Sequence, residues 1–217
     1  MEKDKKTNPM LTRKDREFRE FVNFHLRAAE SVEENGSKEL YIEGVAATFN
    51  NPTVLFEYDG IEYKEQIDKG AFDDADMSDV IFNYNHGGKV MARTRNKTLQ
   101  LWIENDGLHM RARVDGTEEG RKLYEEVQGG YIDRMSFAFT IKESSYNLEE
   151  HMRTVYKVKK LYDVSAVDIP AYDTTSLSAR SSFEEELEKE HKAAAAAELR
   201  KRVLQTQVKL TNSIYGG

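Results

Sequence analysis

The chain has 217 residues, 33% of them charged and 39% hydrophobic, with a net charge of −7 and no cysteine. The length fits one domain with appendages. The missing cysteines exclude disulfides, thiolate zinc sites and a cysteine nucleophile, and are compatible with a reducing intracellular setting. The acidic balance, without a basic stripe carrying interleaved aromatics, argues against nucleic acid as a partner, and no stretch approaches the roughly 20 apolar residues of a membrane span.

The N-terminus, MEKDKKTNPMLTRKDREF, has lysines but no apolar segment behind them, which predicts an unexported, soluble protein. Residues 1–12 read as a charged tail. In the following LTRKDREFREFVNFHLRAAE, Phe18, Phe21, Val22, His25 and Leu26 recur at three- and four-residue steps, which predicts an amphipathic helix over 13–30. From residue 38 the period changes to two, starting with KELYIEGVAATF, and further strands are predicted at 61–67, 78–84, 97–104, 108–114, 133–142 and 154–167. Their even spacing suggests a closed or nearly closed β structure. Leu99, Leu101 and Ile103 alternate on one arm and Leu108, Met110, Ala112 and Val114 on the other, around Asn105-Asp106-Gly107, so this pair reads as a hairpin. DGTEEGRKLYEEVQGG follows as a helix with Asp115 or Thr117 as N-cap and Gly129 past its end. After Ala179 the pattern is helical again: a Ser182-x-x-Glu185 capping box, an alanine run at 193–197, and a thin apolar stripe of Leu199, Val203 and Leu210. The expected division is a tail and helix at 1–37, a β-rich body at 38–180 and a helical extension at 181–217.

Phosphate-binding loops of the GxxxxGK[ST] or GxGxxG type are absent, and the glycine pairs at 87–88, 129–130 and 216–217 read as turns. The five histidines, His25, His86, His109, His151 and His191, contain no HExxH and no close pair, so no metal and no cofactor is expected. His86 stands in IFNYNHGGKV, where an apolar strand breaks into Asn-His-Gly-Gly. That position suits a general base, which must reach a proton donor while its other ring nitrogen is held by an orienting partner; a surface histidine in a glycine turn is the competing reading. Ser136 lies in GGYIDRMSFAF, with Met135, Phe137 and Phe139 alternating on a bulky face and Ser136, Ala138 and Thr140 on a small one. It is either a nucleophile held still by a strand or a small residue in a crowded sheet. In KKLYDVSAVDIPAYDTT, Asp163 is an acid within a strand-like run, where burial requires a partner such as an imidazole. Asp168, Asp173 and the hydroxyl of Ser165 compete with it.

Six short segments in order, EGVAATFN at 43–50, IDKGAF at 67–72, NHGGKVMART at 85–94, DGLHMRARV at 106–114, EEGRKLYEEVQGGYIDRMSFAF at 118–139 and LYDVSAVDIPAY at 161–172, resemble the prohead maturation proteases of tailed bacteriophages. RMSFAF followed by VSAVDIPAY carries most of the resemblance. The resemblance implies a herpesvirus assemblin-like α+β fold, a β-rich barrel-like body surrounded by helices, with N- and C-terminal helical extensions. It implies a serine endopeptidase with His86 as base, Ser136 as nucleophile and Asp163 as the third member. Its implied substrates are the scaffolding region of the major capsid protein and the protease itself, cut within the procapsid in the host cytoplasm by a homodimer. A non-catalytic capsid assembly or scaffolding protein on the same fold is the alternative. Oxyanion-hole donors are usually backbone N–H groups, which leave no side-chain signature, so the sequence assigns none.

Overall fold

The structure is a computed structural model and describes residues 16–20, 26–32, 36–168 and 183–215. The chain divides into two compact units, Met1–Ala179 and Arg180–Gly217. The first carries β1 (Glu17–Glu20), β2 (Arg27–Val32), β3 (Lys38–Thr48), β4 (Thr53–Tyr58), β5 (Ile61–Ile67), β6 (Ile81–Tyr84), β7 (Gly87–Arg93), β8 (Leu99–Ile103), β9 (Gly107–Arg113), α1 (Glu118–Gln128), β10 (Arg134–Asn147) and β11 (Met152–Val167). The second carries α2 (Glu184–Tyr215).

A seven-stranded sheet runs β1-β10-β11-β5-β4, with β6 joined to β11 and β7 to β6; a four-stranded sheet runs β2-β3-β9-β8. Alternation decides which side chains meet between them. Ile42, Leu108 and Met110 of the smaller sheet and Ile67, Phe82, Phe137 and Phe139 of the larger one belong to one buried core. α1 lies against β2, β3 and β7 and adds Leu123, Tyr124 and Val127 to that core. Thr117, not Asp115, is its N-cap: the side chain accepts the Gly120 N–H at 3.0 Å. Gly120 allows a close approach, because a Cβ there would collide with the Val114 carbonyl oxygen. Phe137 is fully buried and stacks on Phe139 at 4.8 Å between ring centroids. Phe137→Ala is therefore expected to cost about 3–5 kcal/mol, read as a lower denaturation midpoint.

Several expectations change. The helix foreseen over 13–30 is, in its described residues, two strands, β1 paired with β10 and β2 paired with β3. The open edges of β10 and β3 offer backbone donors and acceptors along a whole strand, and this outweighs a helical periodicity of a few aromatics; Phe21, Val22 and His25 lie outside the described residues. The described N-terminal residues thus belong to the two sheets, β1 to the larger and β2 to the smaller. The barrel is corrected as well: β1, β4, β2 and β8 each end a sheet path among the described residues, so both sheets are open. Nor do helices surround them, since α1 is the single α-helix described in the first unit. Two strands escaped the reading, β4 and β7. The glycines at 87–88 begin β7 instead of forming a loop.

In the second unit α2 carries exposed Leu199 and Val203 and the i,i+4 pairs Glu188–Lys192 and Glu198–Arg202; Ser182 lies outside the described residues. Such exposed pairs add only tenths of a kcal/mol, about 0.3–0.5 each. No helix among the described residues is long and apolar enough to cross a membrane.

Candidate active site

Asn85 and His86 are the two residues that turn β6 into β7, with φ of 50° and 53°. Positive φ at both central positions is the hairpin geometry whose twist matches its strands, and it usually selects glycine at the second. A histidine there is held against a backbone preference of about 1–2 kcal/mol, so the surroundings must hold the turn. They do so from the end of β11: Asn85 Nδ2 donates to Asp168 Oδ1 at 3.0 Å, the Asp168 N–H donates to Asn85 Oδ1 at 3.3 Å, and the Asn85 N–H donates to the Ala166 carbonyl at 2.9 Å. The Tyr84 hydroxyl donates to Asp168 Oδ2 at 2.6 Å. Burial, and then the bond and charge of Asp168, push that hydroxyl up to about 12, so it stays a donor across the neutral range.

The rigid turn aims the imidazole at β10 and β11. His86 Nδ1 lies 2.6 Å from Asp163 Oδ1 and Nε2 lies 2.6 Å from Ser136 Oγ. A carboxylate accepts only, so Nδ1 carries the proton and the Nε2 lone pair faces the hydroxyl. Ser136 is 3% exposed and Asp163 5%. They sit on neighbouring strands, Ser136 opposite Ser165 and Asp163 opposite Ala138. Ser165 Oγ is 2.8 Å from Asp163 Oδ1 and also hydrogen-bonds Asn83 Oδ1. One hydroxyl proton cannot serve two acceptors, so the Asn83 amide must turn its NH2 toward Ser165, leaving the Ser165 proton for Asp163. Asp163 is thereby held by two donors, His86 and Ser165.

The small face of β10 is not an open slot. β1 runs antiparallel along the edge of β10, Arg19 opposite Phe137 and Glu20 opposite Ser136. Ser136 Oγ lies 3.0 Å from the Arg19 carbonyl oxygen, and the Phe18 ring meets the His86 ring edge-on at 4.7 Å. On its other face β1 buries Arg19 completely. The Arg19 guanidinium grips Glu65 by Nε at 2.5 Å and a terminal nitrogen at 3.1 Å, and also meets Glu17. Arg153 holds the same Glu65 by Nε at 2.7 Å. Burial alone would raise the Glu65 carboxyl, but the charges and hydrogen bonds of Arg19 and Arg153 outweigh it and hold it below the usual carboxylate range.

With this geometry in view, comparison with known proteins decides the family. The sequence profile of the caudovirus prohead serine proteases matches residues 24–190, more than half of the chain. The chain belongs to that family. Among solved structures the bacteriophage T4 capsid assembly protease is similar at 15% identity and a TM-score of 0.41, over 70% of this chain and 98% of that one. No curated protein sequence matches. Family membership makes the chain a serine protease, and the match spans the segments that carry His86, Ser136 and Asp163.

Within this protease the structure brings His86, Ser136 and Asp163 together and leaves Asp168 at the turn anchor; Asp173 lies outside the described residues. The residues that escaped sequence reasoning are Asn83, Glu65, Arg153 and those of β1. Glu65 did leave a signal: Tyr63, Glu65 and Ile67 form one buried face of β5, so a charge stands where alternation calls for an apolar residue. Elsewhere Glu104, Asp106 and His109 converge at the β8–β9 turn. There the two carboxylates are exposed, and His109 hydrogen-bonds Asp106 at 2.8 Å and stacks on Trp102.

Proposed function

We propose that the chain is a serine endopeptidase of procapsid maturation in which Ser136 is the nucleophile, His86 the general base and Asp163 the group that orients the imidazole. The observation that carries this reading is the pair of 2.6 Å contacts from the two nitrogens of His86 to Asp163 and Ser136. Ser136 Oγ attacks a peptide carbonyl carbon as its proton passes to Nε2, and the imidazolium returns that proton to the leaving amine. Water, deprotonated by the same nitrogen, then hydrolyses the ester and frees Ser136. Asp163 stabilises the imidazolium without taking the proton.

Family membership supports the substrates proposed here, the scaffolding region of the major capsid protein and the protease itself, cut inside the assembling procapsid. The assemblin kinship belongs to the same proposal and rests on the resemblance of the six ordered segments, and the homodimer follows by analogy with that kinship. The protease domain is assigned to 38–180 together with β1 and β2, and the extension at 181–217 carries a segment for self-removal. Co-expression with a capsid precursor tests this. Wild-type protein is expected to shorten both the precursor and itself, and the Ser136→Ala protein neither. Cleavage by Ser136→Ala would move the nucleophile elsewhere, and an intact precursor with the wild type would favour a purely scaffolding role.

A further inference from the structure

β1 is joined to the edge of β10 by main-chain pairing, as any extended peptide could be. The carbonyl that faces the Ser136 hydroxyl, at 3.0 Å, belongs to Arg19. Period-two alternation sends Glu17 and Arg19 to one side and Phe18 to the other. On the first side the floor is an acid and a base on paired strands, Glu65 opposite Arg153. Glu65 takes the Arg19 fork on both carboxylate oxygens, while Arg153 reaches Glu17 at 2.7 Å. Phe18 meets His86. The order of charges on the floor is thus complementary to a strand reading Glu, apolar, Arg.

We propose that Glu65 and Arg153 are the specificity-determining residues of this protease, reading an extended peptide with arginine at the carbonyl met by Ser136 and glutamate two residues earlier. The assignment rests on Ser136 being the nucleophile. Lysine could offer Glu65 a point charge but not a fork, and an acidic side chain would meet a buried like charge. The same triplet, Glu with a large apolar residue and Arg, occurs a second time, at Glu198-Leu199-Arg200 in α2, where Leu199 is 63% exposed. The protease is therefore expected to take its own chain as substrate at two bonds, after Arg19 in extended β1 and after Arg200 where that turn of α2 unwinds to the extended form.

Purified full-length protein is incubated beside the Ser136→Ala protein, and new termini are read by intact mass and N-terminal sequencing. Wild type is expected to yield chains beginning at Glu20 and Lys201, and Ser136→Ala none. In parallel a synthetic peptide of residues 14–24 is expected to be cut after Arg19. Its Arg19→Glu version should lose about 100-fold in kcat/KM and its Glu17→Lys version about tenfold. Glu65→Gln is expected to narrow the preference for the Arg peptide over the Glu peptide about tenfold; the peptide series on wild type gives the answer even if that variant folds poorly. Ser136-dependent cleavage at other bonds, with equal rates across the peptides, overturns the subsite and leaves the protease reading standing. Absence of any Ser136-dependent cleavage, of self, peptide or capsid precursor, overturns both.

Discussion

Ser136→Ala is expected to lower turnover by about 10⁶-fold while leaving the fold intact. In the proposed mechanism this hydroxyl, the one that meets His86 Nε2, forms the acyl intermediate. Its loss removes one small atom from a strand whose main chain is paired on both sides, by β1 and by β11. His86→Ala should cost about as much, and the double variant no more than either single one, because base and nucleophile act as one unit. The check is initial-rate hydrolysis of the residue 14–24 peptide, with circular dichroism and thermal melting of each variant. Independent, multiplying losses would show that His86 and Ser136 do not share a step. A fluorophosphonate probe gives the same information without a peptide: it should label wild type at Ser136 and fail with both variants.

Asp163→Asn is expected to lower kcat by about 10⁴-fold with little change in KM or melting temperature. An amide in place of the carboxylate can turn its NH2 toward Nδ1, which moves the imidazole proton to Nε2 and points a donor, not a lone pair, at Ser136. Ser165 meets the same oxygen of Asp163 as His86 does, so its hydroxyl would accept from that NH2 and help to hold the amide in place. Asp168→Asn is the matched control. Asp168 bonds Tyr84 and Asn85, so its loss should loosen the turn and change turnover by about tenfold or less, an effect carried through the placement of His86. Equal losses from Asp163→Asn and Asp168→Asn would remove the special role of Asp163.

The core strands β3, β5, β8, β9, β10 and β11, and α1 with its cap, were legible because each carries its own period: two for the strands, and a threonine, two acids and a glycine for the helix. β7 was not, since glycines after a histidine read locally as a loop; only pairing with β6 makes Gly87 and Gly88 strand residues. β1 and β2 were misread for the related reason that a strand edge is a property of its neighbour. Phe18 has a helical spacing to Phe21 and Val22 in sequence, but β10 offers its strand a ladder.

For the site, the sequence points to His86, Ser136 and Asp163 through the ordered segments that resemble the prohead proteases; residue types alone leave a surface histidine, a small strand residue and the competing Asp168, Asp173 and Ser165 open. Tertiary structure alone decided that the acid meeting His86 is Asp163 and not Asp168: β6 pairs alongside Asp163 within β11, while Asp168, just past the end of that strand, bonds Tyr84 and Asn85. It also decided what lies against the nucleophile. Arg19, Glu65 and Arg153 are far apart in the chain, and no local pattern relates a charge in the N-terminal segment to one on β5. Their meeting follows from strand pairing and from the need of a buried charge for partners, and both exist only once the sheets have formed.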